Sequence, residues 1–371
     1  MDQIRKKILY LGFFLYALQG PYVYTYAFIL SFLLIMLSFN FRVISNKYFG
    51  IISLIIGLYL FIGLFSDNPS IVMELKNWSF WILSLNIGFL LFTYLEDDEL
   101  DKLLSYSIFI ILGVYVLLKI NLIPNIYMKE ELAEYHNYKT LGPYLVIPIV
   151  YQCFYIVKNI VVTKRYWLVS LSSLCIVLLS GSLQYLLLIL LGIILMFVKF
   201  NLRFILSFVI VSVISIFMMY RFLPEKQVDK MLQVLNPLES PTVQTRISDV
   251  EFAYNRNRSE PLFGEGLGVR STIQRVSFQN SSLVDTRDFL EVDNSFYYLY
   301  HRMGFFGLLM FCILIYSLQR KLSSKAKIYF LLFILVNGFL SIHMFTVNSF
   351  ALIFSFFIFN SYGKRKSVLS K

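Results

Sequence analysis

The chain alternates between long apolar runs and short polar breaks, and the run length is that of a helix rather than a strand. Runs of 12 to 25 residues without alternate polar positions predict helices apolar on all sides. A bilayer core about 30 Å thick takes roughly 17–25 such residues per helix. Twelve segments are expected on this basis: 8–19, 22–41, 48–65, 78–95, 103–123, 141–158, 166–180, 183–198, 204–221, 294–318, 328–342 and 345–361. Gly20-Pro21 reads as a tight turn after the first, whose basic start resembles a signal peptide without a small-residue cleavage site. It is expected to be a retained span. The 33 residues of 166–198 are too many for one span and few for two, so a hairpin is expected at Ser180-Gly181-Ser182. The fold expected is an all-α polytopic membrane protein of about 12 transmembrane helices.

Composition agrees with that pattern. Of 371 residues, 58% are hydrophobic and 15% charged, where soluble domains carry about 25% charged. Mean hydropathy is +0.70. Disorder, collagen-like repeats and a disulfide scaffold are excluded. Cys153, Cys175 and Cys312 lie in apolar runs without metal-ligand spacing and are expected to pack as buried apolar residues. The net charge of +11 points to topology once the bases are placed. With both termini cytoplasmic, 19 of the 33 bases but only six of the 22 acids fall in inner segments, as the positive-inside rule requires. The acidic run Glu96 to Asp101 is the inner stretch that fits poorly. No basic block with interleaved aromatics lies outside the loops, so nucleic acid is not an expected partner.

Residues 1–221 therefore form helices one to nine, 222–293 a long extracytoplasmic loop with short helical segments, and 294–371 the last three helices and a basic cytoplasmic tail. Within the loop, Ile247, Val250 and Tyr254 sit at helical spacing. Pro261-Leu262-Phe263-Gly264-Glu265-Gly266-Leu267-Gly268 follows, with alternating glycines that let the backbone fold tightly or approach a ligand closely. It lacks the strand–turn–helix context of a nucleotide fingerprint. A solvated tether is the bland alternative for this loop. The smaller outer loop 124–140 reads more simply as a solvated connection.

Two polar outer loops on a membrane body suggest work at the outer face on something lipid-borne. No ATP or nucleotide sugar is available there, so an enzyme needs an activated donor held in the bilayer, such as a polyprenyl diphosphate-linked glycan. Its diphosphate leaving group calls for arginine, whose forked donors fit phosphate oxygens bidentately. Arg246 and Arg270, flanking the glycine turn, are the first choices, although an outer-loop arginine can simply be solvated. In the tenth segment Asp293, Tyr297, Tyr300 and His301 share one broad helical face. Asp293 could accept the proton of an acceptor hydroxyl or equally cap the helix N-terminus. Arg302 stands more than two turns inside that segment, where a charge is costly and is either functional or snorkelling. The histidines His136, His301 and His343 form no visible metal cluster, and no cofactor is expected.

Taken in order, Ser180-Gly181-Ser182, Thr245-Arg246-Ile247, the glycine turn, and Asp293-Asn294-Ser295-Phe296-Tyr297 followed by Gly304 and Gly307 resemble the Wzy-type polymerases and the related O-antigen ligases. The matching motifs span about 180–310; the first half agrees only in its span pattern. The resemblance implies a GT-C-like, metal-independent glycosyltransferase of the bacterial plasma membrane. It would join undecaprenyl diphosphate-linked repeat units, donor and acceptor, into capsule, exopolysaccharide or O-antigen, alongside membrane lipids, a flippase and a chain-length regulator. Arg246 matches the family's loop arginine near the diphosphate. On this reading Asp293, Arg246 and His301 are the catalytic candidates, with Arg270, Glu265, Asn294, Tyr297 and Arg302 binding substrate. Asp293 stands where the ligases carry His, which favours polymerase over ligase. Leu183 replaces the arginine that often continues the hairpin motif, so a phosphate contact there is not implied. A lipid-linked oligosaccharide flippase is the reading from a different class. It should show polar residues near mid-bilayer in several helices and internal repeats, neither of which is evident. Arg246→Ala is expected to abolish polymer formation without loss of expression, while Arg256→Ala does not, as judged by gel analysis of cell-surface polysaccharide.

Overall fold

The structure, a computed structural model, describes residues 3–17, 47–65, 71–119, 143–180, 183–197, 261–269, 271–276, 284–289, 295–340 and 351–359, with isolated positions between them. In chain order these form α1 (Gln3–Ala17), α2 (Lys47–Leu64), α3 (Ile71–Tyr94), α4 (Asp97–Lys119), α5 (Pro143–Lys158), α6 (Lys164–Ser180) and α7 (Leu183–Phe197). Then come β1 (Ser271–Val276), β2 (Val284–Phe289), α8 (Ser295–Gln319) and α9 (Ser324–Leu340), followed by a helical stretch, α10, at 351–359.

Helix α5 is the centre of the packing. It is apolar on every side, and residues 145–157 are all buried, as expected of a helix enclosed by others. It touches α1, α4, α6, α7 and α9. Pro143 opens it, where a missing amide hydrogen costs nothing. Asn159 closes it at φ 52°, and the Ile160 amide donates to the Tyr155 carbonyl in the Schellman pattern. Caps also fix the next entries, with Thr163 Oγ1 accepting from the Tyr166 amide and Ser323 Oγ from the Ala326 amide. A layer of aromatic rings ties α3 and α9 to α10, including Phe92–Phe356 at 4.5 Å and Phe330–Phe357 at 4.6 Å between centroids.

The expectation of about twelve transmembrane helices, and the GT-C-like architecture built on it, is corrected. Among the described residues two helical stretches are long and apolar enough to cross a membrane, Asp97–Leu117 and Ser295–Gln319. Gly50–Leu64, Leu145–Lys158 and Gln184–Phe197 are shorter apolar helices. At about 1.5 Å per residue, the 15 residues of α7 extend only about 22 Å. Hydropathy does not distinguish a side chain facing lipid from one packed on a neighbouring helix. Expected segments 22–41, 204–221 and the first part of 345–361 lie outside the described residues, as do both loop arginines. The long loop also contributes an antiparallel hairpin, β1 on β2, in register from Ser271↔Phe289 to Val276↔Val284. Of the cysteines expected to be buried, Cys153 is, whereas Cys175 and Cys312 are exposed on the outward faces of α6 and α8.

The acidic run that fitted poorly as an inner loop has a structural task at the start of α4. Asp97 pairs with Lys158 of α5 at 2.9 Å, Glu99 with Lys6 of α1 at 3.0 Å, and Asp101 with Arg165 of α6 at 3.0 Å. Glu99 also accepts the Glu96 amide, half of a capping box, and its hydrogen bond holds the Lys6 ammonium above its ordinary pKa. Asp101 further accepts hydrogen bonds from the hydroxyls of Tyr155 (2.8 Å) and Tyr151 (3.2 Å). One carboxylate thus fastens three helices. Behind it Tyr166 donates to Gln152 at 2.6 Å, and Gln152 to Ser170 at 3.0 Å. Asp101→Ala strands two tyrosine hydroxyls and a guanidinium, and is expected to cost about 2–4 kcal/mol. The exposed Asp98→Ala should cost less than about 1 kcal/mol. Chemical unfolding of the detergent-solubilised protein compares the two.

Candidate functional site

Helix α8 contains a break that the rest of the site is built around. Gly304 has φ 62° and ψ −165°, outside any helical conformation. In an unbroken helix the carbonyls of His301 and Arg302 would accept from the amides of Phe305 and Phe306. Those two bonds are open, and residues 261–267 complete them. Phe305 and Phe306 donate to the carbonyls of Pro261 (2.8 Å) and Leu262 (3.0 Å), while the His301 and Arg302 carbonyls accept from the amides of Glu265 (3.2 Å) and Gly266 (2.8 Å). The Met303 carbonyl is taken by the Tyr59 hydroxyl of α2 at 2.8 Å, and the Tyr59 carbonyl accepts from Leu267 at 2.9 Å.

Only glycine permits this approach. Gly264 and Gly266 have φ of 67° and 88°. A Cβ on Gly264 would lie 2.6 Å from the Gly304 amide nitrogen and 2.8 Å from the His301 carbonyl oxygen, both backbone atoms that cannot swing aside. A Cβ on Gly304 would overlap the Leu262 carbonyl, and one on Gly266 would overlap the backbone of Gly63 in α2. The alternating glycines of the turn are therefore contact points against two helices.

This docking carries Glu265 to α8. Its Oε2 lies 3.4 Å from His301 Nε2 and 3.5 Å from Arg302 Nη1. His301 and Arg302 are 0% and 1% exposed, and Glu265 is 16% exposed. A guanidinium enclosed this deeply is stable only with a counter-charge, and the loop provides it. The arrangement has the parts needed for acid–base work on a phosphorylated substrate: a forked cation, a carboxylate, and an imidazole able to exchange a proton with it.

Of the residues singled out in the sequence, the structure brings together Glu265, His301 and Arg302. Tyr297 is partly buried one turn before His301 on α8. Arg246, Arg270, Asp293 and Asn294 lie outside the described residues. Tyr59, Gly63 and the broken geometry of Gly304 went unrecognised in the sequence. Gly304 and Gly266 carried a compositional signal, whereas nothing local to Tyr59 links it to a segment 244 residues away. Compared with known proteins, the chain matches no family model and no curated protein.

Gly304→Ala forces an L residue into a left-handed backbone against the Leu262 carbonyl. A loss of about 3 kcal/mol or more is expected. Gly57→Ala, in open space on α2, should instead gain about 0.5–1 kcal/mol. Thermal unfolding in detergent should order the two on either side of the parent protein.

Proposed function

We propose that this chain is a membrane glycosyltransferase that polymerises polyprenyl diphosphate-linked oligosaccharide repeat units into a surface polysaccharide, in the manner of the Wzy-type enzymes. The observation that carries the reading is the buried Glu265–His301–Arg302 cluster, held where the glycine turn plugs the broken helix. Lipid-borne sugar diphosphates call for a cation held in an apolar body, and Arg302 is a cation enclosed in one. The two helices of membrane-crossing length and composition support a location in the bacterial plasma membrane.

In this reading Arg302 binds the diphosphate and stabilises the charge that builds on it as the glycosidic bond to the lipid breaks. The acceptor hydroxyl attacks the anomeric carbon and loses its proton to His301, whose imidazolium is stabilised by the Glu265 carboxylate. The resemblance would add Arg246 and Arg270 as further contacts to the diphosphate and Asp293 as the alternative proton acceptor. The resemblance would have Tyr297 and Asn294 bind the sugar. The polymer grows by transfer from its lipid carrier to a new lipid-linked unit, with the flippase and chain-length regulator acting before and after.

Cells lacking the chain should accumulate single lipid-linked repeat units at the outer face and make no polymer. Glu265→Gln and Arg302→Lys, expressed at parental levels, should each lower polymer output by about a hundredfold, in line with loss of one preorganised charge. Gel analysis of extracted polysaccharide and lipid-linked intermediates decides the matter. Unchanged polymer length, or single units retained on the cytoplasmic side, would sink the reading.

A further inference from the structure

The ends of α2 and α8 remote from the glycine turn meet through one tyrosine. Tyr48 is buried and donates its hydroxyl hydrogen to the Ser317 carbonyl at 3.4 Å, so the first turn of α2 packs on the last turns of α8. Two ammonium groups, one from each helix, lie over that same ring. Lys47 Nζ and Lys321 Nζ are each 5.2 Å from its centroid. They are therefore within about 10 Å of each other, a separation at which like charges still repel. Arg320, next in the chain to Lys321, adds a third charge, with its guanidinium 5.8 Å from the Tyr316 ring.

An aromatic face attracts a cation without neutralising it. Residues 47–65 and 295–340 contain no aspartate or glutamate. The nearest acidic group in the fold's own electrostatics, at the head of α4, is committed elsewhere: Asp97 to Lys158, Glu99 to Lys6 and Asp101 to Arg165. Among the described residues no carboxylate pairs with Lys47, Arg320 or Lys321. Cations gathered from two helices with their counter-charge left out are what an anion site requires.

The helix faces around these bases select the anion. Ile51 and Leu54 follow Lys47 at helical spacing on one face of α2, and both are exposed. Ile313 and Tyr316 precede Arg320 at the same spacing on α8, and they too are exposed. Each exposed apolar stripe therefore ends in a base. A soluble phosphate has no use for the stripes, and a hydrocarbon chain alone has none for the cations. A phospholipid uses both, since tyrosines and long basic side chains at a helix end sit at headgroup level while the apolar stripe meets the chains.

We propose that Lys47, Lys321 and Arg320 form a binding site for the phosphate of an anionic phospholipid, whose acyl chains lie against the exposed faces of α2 and α8. The inference does not rest on the polymerase reading, because the site lies at the other end of these helices from the Glu265–His301–Arg302 cluster and takes a resident lipid of the bilayer.

The test titrates the full chain in detergent with phosphatidylglycerol or phosphatidylcholine and counts bound lipid by native mass spectrometry. Phosphatidylglycerol should bind roughly tenfold more tightly. Lys47→Gln/Lys321→Gln should lose that preference, and Arg320→Gln should lose roughly threefold. Lys102→Gln/Lys164→Gln, which removes two exposed lysines from α4 and α6, should keep it. Equal binding of the two lipids by the parent protein overturns the site. So does an equal fall in both double variants, which would reflect surface charge in general. Glycerol phosphate at the lipid's own concentration should not displace it; displacement overturns the lipid assignment in favour of a soluble anion. If the Lys47→Gln/Lys321→Gln protein loses its single size-exclusion peak, Arg320→Gln and the comparison of lipids on the parent decide.

Discussion

Five backbone groups around Gly304 place a demand on the whole arrangement. Breaking α8 frees the carbonyls of His301, Arg302 and Met303 and the amides of Phe305 and Phe306 in an apolar interior. Each such group left unsatisfied away from water costs on the order of several kcal/mol. A break is therefore tolerable only where another stretch of backbone supplies partners in the same geometry. Residues 261–267 do so, pairing with both sides of the opening, and Tyr59 completes the set. The long polar segment is thus anchored, at this point, by the same kind of bond that holds a helix together. Gly264, Gly266 and Gly304 are the condition for that closeness, since the nearest neighbours a Cβ there would meet are main chain.

Charge placement follows from the anchor. Arg302 is enclosed on a helix of otherwise apolar character, and Glu265 reaches it only because the amides of Glu265 and Gly266 are bonded to the carbonyls of His301 and Arg302. Remove the backbone pairing and the carboxylate leaves with the loop, which takes a counter-charge away from a buried cation. The acidic start of α4 makes a useful contrast. Its three pairs lie nearer the surface, each joins a different helix, and their effect is to hold α1, α5 and α6 against α4. Partly exposed pairs contribute modestly one at a time, yet Asp101 also holds two tyrosine hydroxyls. One electrostatic system fastens helices. The other is buried and concentrated.

The apolar runs did read as helices, and the hairpin position at 180–182 separates α6 from α7. What they could not reveal was span number. Helix α5 is strongly apolar and yet enclosed by other helices, because apolarity measures exclusion from water and not contact with lipid. Within the site, Glu265, His301 and Arg302 were each legible as chemistry-bearing types at unusual places. Their association was not, since 36 residues separate Glu265 from His301 and the connection depends on a break in an apolar run with no polar interruption at Gly304 itself. Tyr59 was invisible for the same reason: a backbone-to-side-chain bond over a long separation leaves no local pattern. Arg302 reads in the sequence as either functional or snorkelling, and in the structure it is buried. A counter-charge comes from the loop, at Glu265, and no local pattern along α8 marks that pairing.

The neighbouring carboxylate also bears on how a diphosphate would be handled on the proposed reading. Glu265 is near both His301 and Arg302, so it shares one negative charge between two potential cations. A phosphate arriving at Arg302 brings stronger negative charge and more acceptor oxygens, and competes with the carboxylate for the guanidinium. Glu265 is then left beside His301, its Oε2 3.4 Å from the imidazole Nε2. Substrate binding would thereby couple the carboxylate to the residue that must take a proton from the acceptor. The coupling requires that the carboxylate stay within reach of the imidazole after it yields the arginine. The glycine turn meets that requirement, because it fixes the Glu265 backbone to the His301 carbonyl directly.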